Sequence, residues 1–233
     1  MLTRVTITGA DDSIHPGDLK DFTRLYPFVE WGILVSKKNF GVPRYPTLKW
    51  LNQLKEVKNV SIEPFNLSCH LCGRYVRELA IGKDMAIQEL GDLWNIFERI
   101  QINFHGIKHD TTEDMINLLL KYPEKEFIFQ YDDVNIDAVH MAYKAGVNCS
   151  ALFDKSGGAG ILPDEWPEPI EGIKCGYAGG LSPHNLERQI KIIENIVEDE
   201  PFWIDMETHV RTADNKYFDL NKVEACLQIS MNQ

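Results

Sequence analysis

Residues 146–160 read G-V-N-C-S-A-L-F-D-K-S-G-G-A-G, and residues 173–186 read I-K-C-G-Y-A-G-G-L-S-P-H-N-L, with a Pro-rich link between them. Each half is a short apolar run that ends in clustered glycines. The second half passes to Ser182 and Pro183, an N-cap residue and a first-turn residue, which predicts that a helix opens there. Apolar strand, glycine turn and helix start bring backbone N–H groups to bear on an anion. Two such turns in succession, late in a chain of 233 residues, predict the phosphate corner of a (β/α)8 barrel.

The rest of the chain fits that frame. Strands are expected at 5–9, 28–35, 66–71, 100–104, 126–131, 148–153, 173–178 and 202–206. Helical spacing is expected at 16–26, from Thr47 onward, twice between 74 and 97, after Thr111 or Thr112, at 135–145, after Ser182 and at 219–229. Eight strands, each followed by helical sequence, argue for a parallel sheet, and the number eight argues for its closure. No linker or low-complexity stretch interrupts the series, so residues 1–233 are expected to form one (β/α)8 domain. Phe28, Trp31, Trp50 and Trp94 sit at core periodicity and are expected to pack.

Composition narrows the function. A net charge of -11 argues against a nucleic-acid partner, which calls for basic patches. No run of about 18 apolar residues suggests a membrane span, and the first residues read as a strand rather than a signal peptide. Five scattered cysteines fit free thiols in a reducing cytoplasm better than a disulfide framework. No cofactor is expected, and a homodimer is left open.

Chemistry in such a barrel gathers where strands end. Those ends carry Thr8 and Asp11, Ser36, His70 and Cys72, His105, Gln130, Asp154, Gly179 and Gly180, and Asp205 with Glu207. Cys69-His-Leu-Cys72 has a zinc-like spacing, but positions three apart on a strand point to opposite faces. No second motif completes four ligands, and no metal is expected.

Several of these pieces together resemble phosphoribosylanthranilate isomerase, a (β/α)8 enzyme family. They are G-V-P-R-Y-P at 41–46, F-H-G at 104–106, F-D-K-S-G-G-A-G at 153–160, Y-A-G-G-L-S-P-H-N-L at 177–186 and W-I-D-M-E at 203–207. The resemblance implies that Asp154 is a general acid and that Arg44 lies by the anionic end of the substrate. Gly157, Gly158, Gly160, Gly179 and Gly180 become the backbone cradle of a phosphate. It implies an isomerase acting by proton transfer on a small phosphorylated sugar derivative.

Two departures stand against that reading. The family's first strand carries a catalytic cysteine, where this chain has Thr8, and a hydroxyl is no base at neutral pH. Glu207, Thr208 and His209 replace the family's small phosphate-holding residues, and a carboxylate beside a phosphate repels it unless a cation offsets it. Cys72, His70 and Asp11 are the candidate substitute bases, each with a bland reading as a packed or capping residue. Thr8 and His105 are candidate substrate contacts. Three alternatives remain: a non-catalytic barrel that binds a phosphorylated ligand or a partner, a lyase or aldolase on a related sugar phosphate, and a metal-assisted lyase using His70, His105 and Asp205.

Overall fold

In the computed structural model, eight parallel strands close on one another in chain order. The structure describes residues 1–103, 112–131, 135–155, 157 and 159–232. The strands are β1 (Leu2–Thr8), β2 (Val29–Val35), β3 (Asn66–Leu71), β4 (Arg99–Ile102), β5 (Glu126–Tyr131), β6 (Cys149–Phe153), β7 (Lys174–Ala178) and β8 (Phe202–Met206). The helices are α1 (Pro16–Leu25), α2 (Leu48–Asn59), α3 (Arg74–Ala80), α4 (Met85–Leu90), α5 (Thr112–Leu119), α6 (Ile136–Lys144), α7 (Leu186–Val197) and α8 (Leu220–Met231). The expected (β/α)8 barrel is the fold. Closure through the β1–β8 pair leaves no sheet edge exposed.

Local chemistry accounts for several helix starts. At α1 the His15 ring accepts from the Gly17 N–H while Asp18 accepts from the His15 N–H, a reciprocal cap ahead of Pro16. At α2 the Thr47 hydroxyl accepts from the Trp50 N–H at 3.1 Å, as an N-cap should.

Two expectations are corrected. First, not every strand is followed by a helix: α3 and α4 follow β3 as expected, but between β6 and β7 the described residues form no helix. That stretch carries Pro163, Pro167 and Pro169, which lack the N–H a helix needs. It is pinned instead by Trp166, whose indole donates to Gln189 of α7 at 2.8 Å. Second, α7 opens at Leu186 and not after Ser182. The Asn185 side chain accepts from the Ser182 N–H at 2.9 Å and donates to the Gly180 carbonyl at 2.9 Å, folding residues 182–185 into a turn first.

Strand alternation divides the molecule into two layers. Outward-facing residues such as Val5, Ile7, Trp31, Ile33, Cys69, Ile100 and Phe129 pack beneath the helices in the main core. Trp31, Trp50 and Trp94 are buried there, and Phe28 is partly so. Inward-facing residues fill the barrel, and they are sorted by side. Ile128, Leu152, Ala178 and Trp203 form an apolar cluster on one side.

The other side holds charges. Glu30 accepts from Arg4 at 2.8 Å, Thr6 at 2.9 Å and Arg99 at 2.9 Å, and Arg99 also reaches Glu126 at 3.1 Å. The Arg99 guanidinium lies 4.4 Å from the centre of the Trp203 ring and so joins the two sides. A network of this kind fixes geometry more surely than it adds stability, because desolvation offsets the attraction.

Two inward glycines exist because their neighbours need the space. A Cβ on Gly176 would fall 2.1 Å from the Trp203 ring. A Cβ on Gly32 would fall 2.2 Å from the Thr8 hydroxyl and 2.8 Å from the His70 ring.

Candidate active site

Above that filled interior, at the carboxyl ends of the strands, opens a cavity of about 280 Å³. Its inner wall is polar: His70 is on β3 and Cys72 just after it, Gln101 is on β4 and Asn103 just after it, Gln130 is on β5, Asp154 follows β6, Asp205 is on β8 and Glu207 just after it. Arg44 and Tyr45 roof it, and Gly157, Gly160, Gly179, Gly180, Thr208 and His209 form its outer side.

Asp205 is the deepest acid. The Thr8 hydroxyl donates to it at 2.7 Å. Burial raises its pKa well above the ordinary aspartate range, against the Thr8 hydrogen bond and with help from the charges of Glu207, Asp154 and Glu30. Asp154 is held by Gln130, whose amide donates at 2.9 Å. Glu207 accepts from Arg44 at 2.5 Å. Burial pushes the Glu207 pKa up, and Arg44 opposes that shift. The carboxylate expected to clash with a phosphate is thus offset by the basic residue expected to hold the substrate.

Arg44 is positioned at some cost. Its φ is 78°, a left-handed conformation that side chains rarely adopt. Asp11 stabilises that turn: one carboxylate oxygen accepts from the Arg44 N–H at 2.6 Å and from Arg211 at 2.8 Å. The guanidinium also donates to Asn215 at 3.0 Å. Asp11 therefore sits behind the roof and is not among the residues lining the cavity. Arg211, fully buried and bonded to the Gly9 carbonyl at 2.5 Å, lies in a loop where no sequence pattern marks it.

The candidate bases fare differently in detail. Burial raises the Cys72 thiol to about 11, although Asn103 donates to its sulfur at 3.1 Å. It stands as a thiol at neutral pH. Burial, then the nearby Arg99 charge, drops His70 to about 3, and its Nε2 pairs with the Ser68 hydroxyl at 3.0 Å. It stands as a neutral ring that accepts protons poorly. Cys69 faces the outer core while Cys72 lines the cavity, so the C-x-x-C pair is split across the strand. Among the described residues, no group of three or more His, Cys, Asp or Glu side chains is placed to hold a metal ion.

The glycine turns meet at the cavity as expected, but packing explains much of their composition. A Cβ on Gly180 would fall 2.3 Å from the Leu162 nitrogen, and one on Gly179 would fall 2.9 Å from the Ile161 carbonyl. Gly160 packs against Thr208, and its carbonyl lies 3.1 Å from the His209 ring. His105 and Gly158 lie outside the described residues. Gln101, Asn103 and Tyr45 were not singled out by sequence. The alternation Arg99, Gln101, Asn103 on one face of β4 is the signal that points to the first two.

Fold and cavity together define a (β/α)8 barrel with an acid-rich site at the carboxyl ends of its strands. No protein-family model matches the chain, and no curated protein matches it. Among solved structures it is similar to 3-hexulose-6-phosphate synthase from Salmonella typhimurium, with a TM-score of 0.53 and 10% identity over 98% of this chain and 99% of that one. It is similar also to 3-keto-L-gulonate-6-phosphate decarboxylase from Vibrio cholerae, at 0.53 and 11% over 99% and 97%. A Rubisco-like protein from Rhodopseudomonas palustris matches at 0.52 and 6%, over 99% of this chain and 64% of that one.

At such identities the likeness is one of fold. It corrects the isomerase reading nonetheless. The barrels that this chain resembles are a synthase, a decarboxylase and a Rubisco-like protein, and the resemblance to phosphoribosylanthranilate isomerase extends no further than the (β/α)8 fold. The site agrees with that correction, since Thr8 is bound to Asp205 where that family places its base. Among the described residues no helix is long and apolar enough to cross a membrane.

Proposed function

We propose that this chain is a lyase of the aldolase type, which breaks or forms a carbon–carbon bond in a small phosphorylated sugar derivative. The observation that carries the reading is the pairing of Asp154 with Asp205 in one cavity. The first carboxyl is fixed by Gln130, and the second is favoured as a neutral acid by burial. Bond cleavage next to a carbonyl needs a base for the hydroxyl proton and an acid for the enolate that results.

In the cleavage direction Asp154 takes the proton of the hydroxyl one carbon beyond the bond that breaks. The electron pair of that bond passes to the neighbouring carbonyl as an enolate. Asp205 donates a hydrogen bond to the enolate oxygen, and the proton returns from Asp154 to the carbon. The phosphate lies toward Gly157, Gly160, Gly179 and Gly180, away from the inner carboxyls, with His209 at the rim. Arg44 and Glu207, mutually neutralised, close the roof. The similar barrels, a hexulose-phosphate synthase and a ketogulonate-phosphate decarboxylase, support a phosphorylated ketose as the substrate class.

The test is a proton NMR assay of ketose phosphates, 3-hexulose 6-phosphate and 3-keto-L-gulonate 6-phosphate among them, in heavy water. Cleavage products or deuterium at the carbon beside the carbonyl are expected, and Asp154→Asn should remove them. An inert wild type across that set would defeat the proposal in favour of a barrel that only binds.

A further inference from the structure

The donors and acceptors of the inner wall do not balance. Gln101 donates to Asn103 at 3.0 Å, Asn103 donates to Cys72 at 3.1 Å, and Gln130 donates to Asp154 at 2.9 Å. His70 is paired with Ser68, and Arg44 is shared between Glu207 and Asn215. These groups are engaged within the wall itself. Two acceptors are not: Oε1 of Gln101 and Oε1 of Gln130 have no hydrogen-bond partner among the described residues. Each residue is only 5% exposed, and both line the cavity from neighbouring strands. The Asp154 carboxylate fixes the Gln130 amide orientation, because it can only accept from the NH2 group.

Charge is unbalanced in the same direction. Among the described lining residues, Asp154, Asp205 and Glu207 face one guanidinium, that of Arg44, with His209 at the outer rim. Burial raises the Asp205 pKa, and the neighbouring carboxylates add to the shift. A buried acceptor left unmet is costly, so these two oxygens await a donor from the ligand. A hydroxyl brings one donor and no charge. A primary ammonium brings three donors, no acceptor and a positive charge that suits an acid-rich lining.

We propose that the inner end of the cavity binds a protonated amine, so that the ligand of this barrel is an amino sugar phosphate or a close relative, with its ammonium between the amide oxygens of Gln101 and Gln130. The proposal rests on the reading of the outer glycine side as the phosphate end, and it adds the chemistry of the opposite end. It does not depend on which bond is broken.

The test is calorimetric titration of the whole chain at pH 7 with glucosamine 6-phosphate, glucose 6-phosphate and free glucosamine. Glucosamine 6-phosphate should bind at least about tenfold more tightly than glucose 6-phosphate, the size of one charge-assisted hydrogen bond. Gln101→Met and Gln130→Met, each checked for an intact fold by its thermal melt, should narrow that ratio. Equal affinity for the two phosphates would overturn the ammonium site and leave the phosphate end standing. Free glucosamine binding as tightly as its phosphate would do the reverse. No binding by any of the three, or a preference untouched in both variants, would overturn the proposal as well.

Discussion

Gly32→Ala offers a sharp test of how the barrel interior supports the site. The added Cβ would stand 2.2 Å from the Thr8 hydroxyl and 2.8 Å from the His70 ring, with no room in a strand that is buried throughout. Overpacking of this kind costs about 1–3 kcal/mol. Displacing the Thr8 hydroxyl also breaks its 2.7 Å bond to Asp205, worth about 0.5–1.5 kcal/mol. Replacing glycine recovers roughly 0.4–1 kcal/mol through the unfolded chain. The net is a loss of about 2 kcal/mol, read as a lower urea midpoint with unchanged slope. In a Thr8→Ala background the closest clash and the hydrogen bond are both gone, so Gly32→Ala should cost at least about 1 kcal/mol less there. A neutral Gly32→Ala, or the same cost in both backgrounds, would refute this account of why position 32 is glycine.

Further predictions concern the wall. Asp205 has a folded pKa raised above its unfolded value, which is near 4. Its contribution is therefore complete below about pH 4 and is lost as pH rises through the folded value. Asp205→Asn should gain stability relative to wild type as pH rises from about 5 to 9, measured by urea midpoints across that range, and a difference flat with pH contradicts it. Cys72, at about 11, should be alkylated by iodoacetamide far more slowly at pH 8 than a free thiol, with the rate still climbing near pH 10. Half-maximal labelling near the ordinary thiol value of about 8.5 would count against that. Arg44→Met leaves Glu207 without the cation that opposes its burial. It should lower the melting temperature more than the double variant Arg44→Met/Glu207→Met does, a reversal of the usual additive order.

Much of the barrel was legible because its signal is local. Apolar runs such as F-I-F at 127–129 and S-A-L-F at 150–153 mark strands without reference to the rest of the chain. What sequence missed depends on side-chain contacts that spacing does not show. The Asn185 side chain reaches back to Gly180 and Ser182 and delays α7 by a turn. A helix after β6 fails because prolines interrupt that segment and the buried Trp166 pins it to α7.

In the site, glycines announced a turn, but their reason is partly the close passage of residues 161 and 162, which spacing does not reveal. The fate of Glu207 was invisible for a plain reason: the arginine that pairs with it lies 163 residues away. Gln101 was overlooked because an inward polar residue in a four-residue strand looks like a solvent-facing one until the sheet closes.

The central claim is that Asp154 moves the proton in a lyase reaction inside this cavity, and isotope exchange reads it most directly. With a ketose phosphate in heavy water, wild type should cleave the sugar or place deuterium beside its carbonyl. Asp154→Asn should be slower by about 100-fold or more, the usual worth of a positioned acid–base group. Exchange that continues at the wild-type rate in Asp154→Asn would contradict the account.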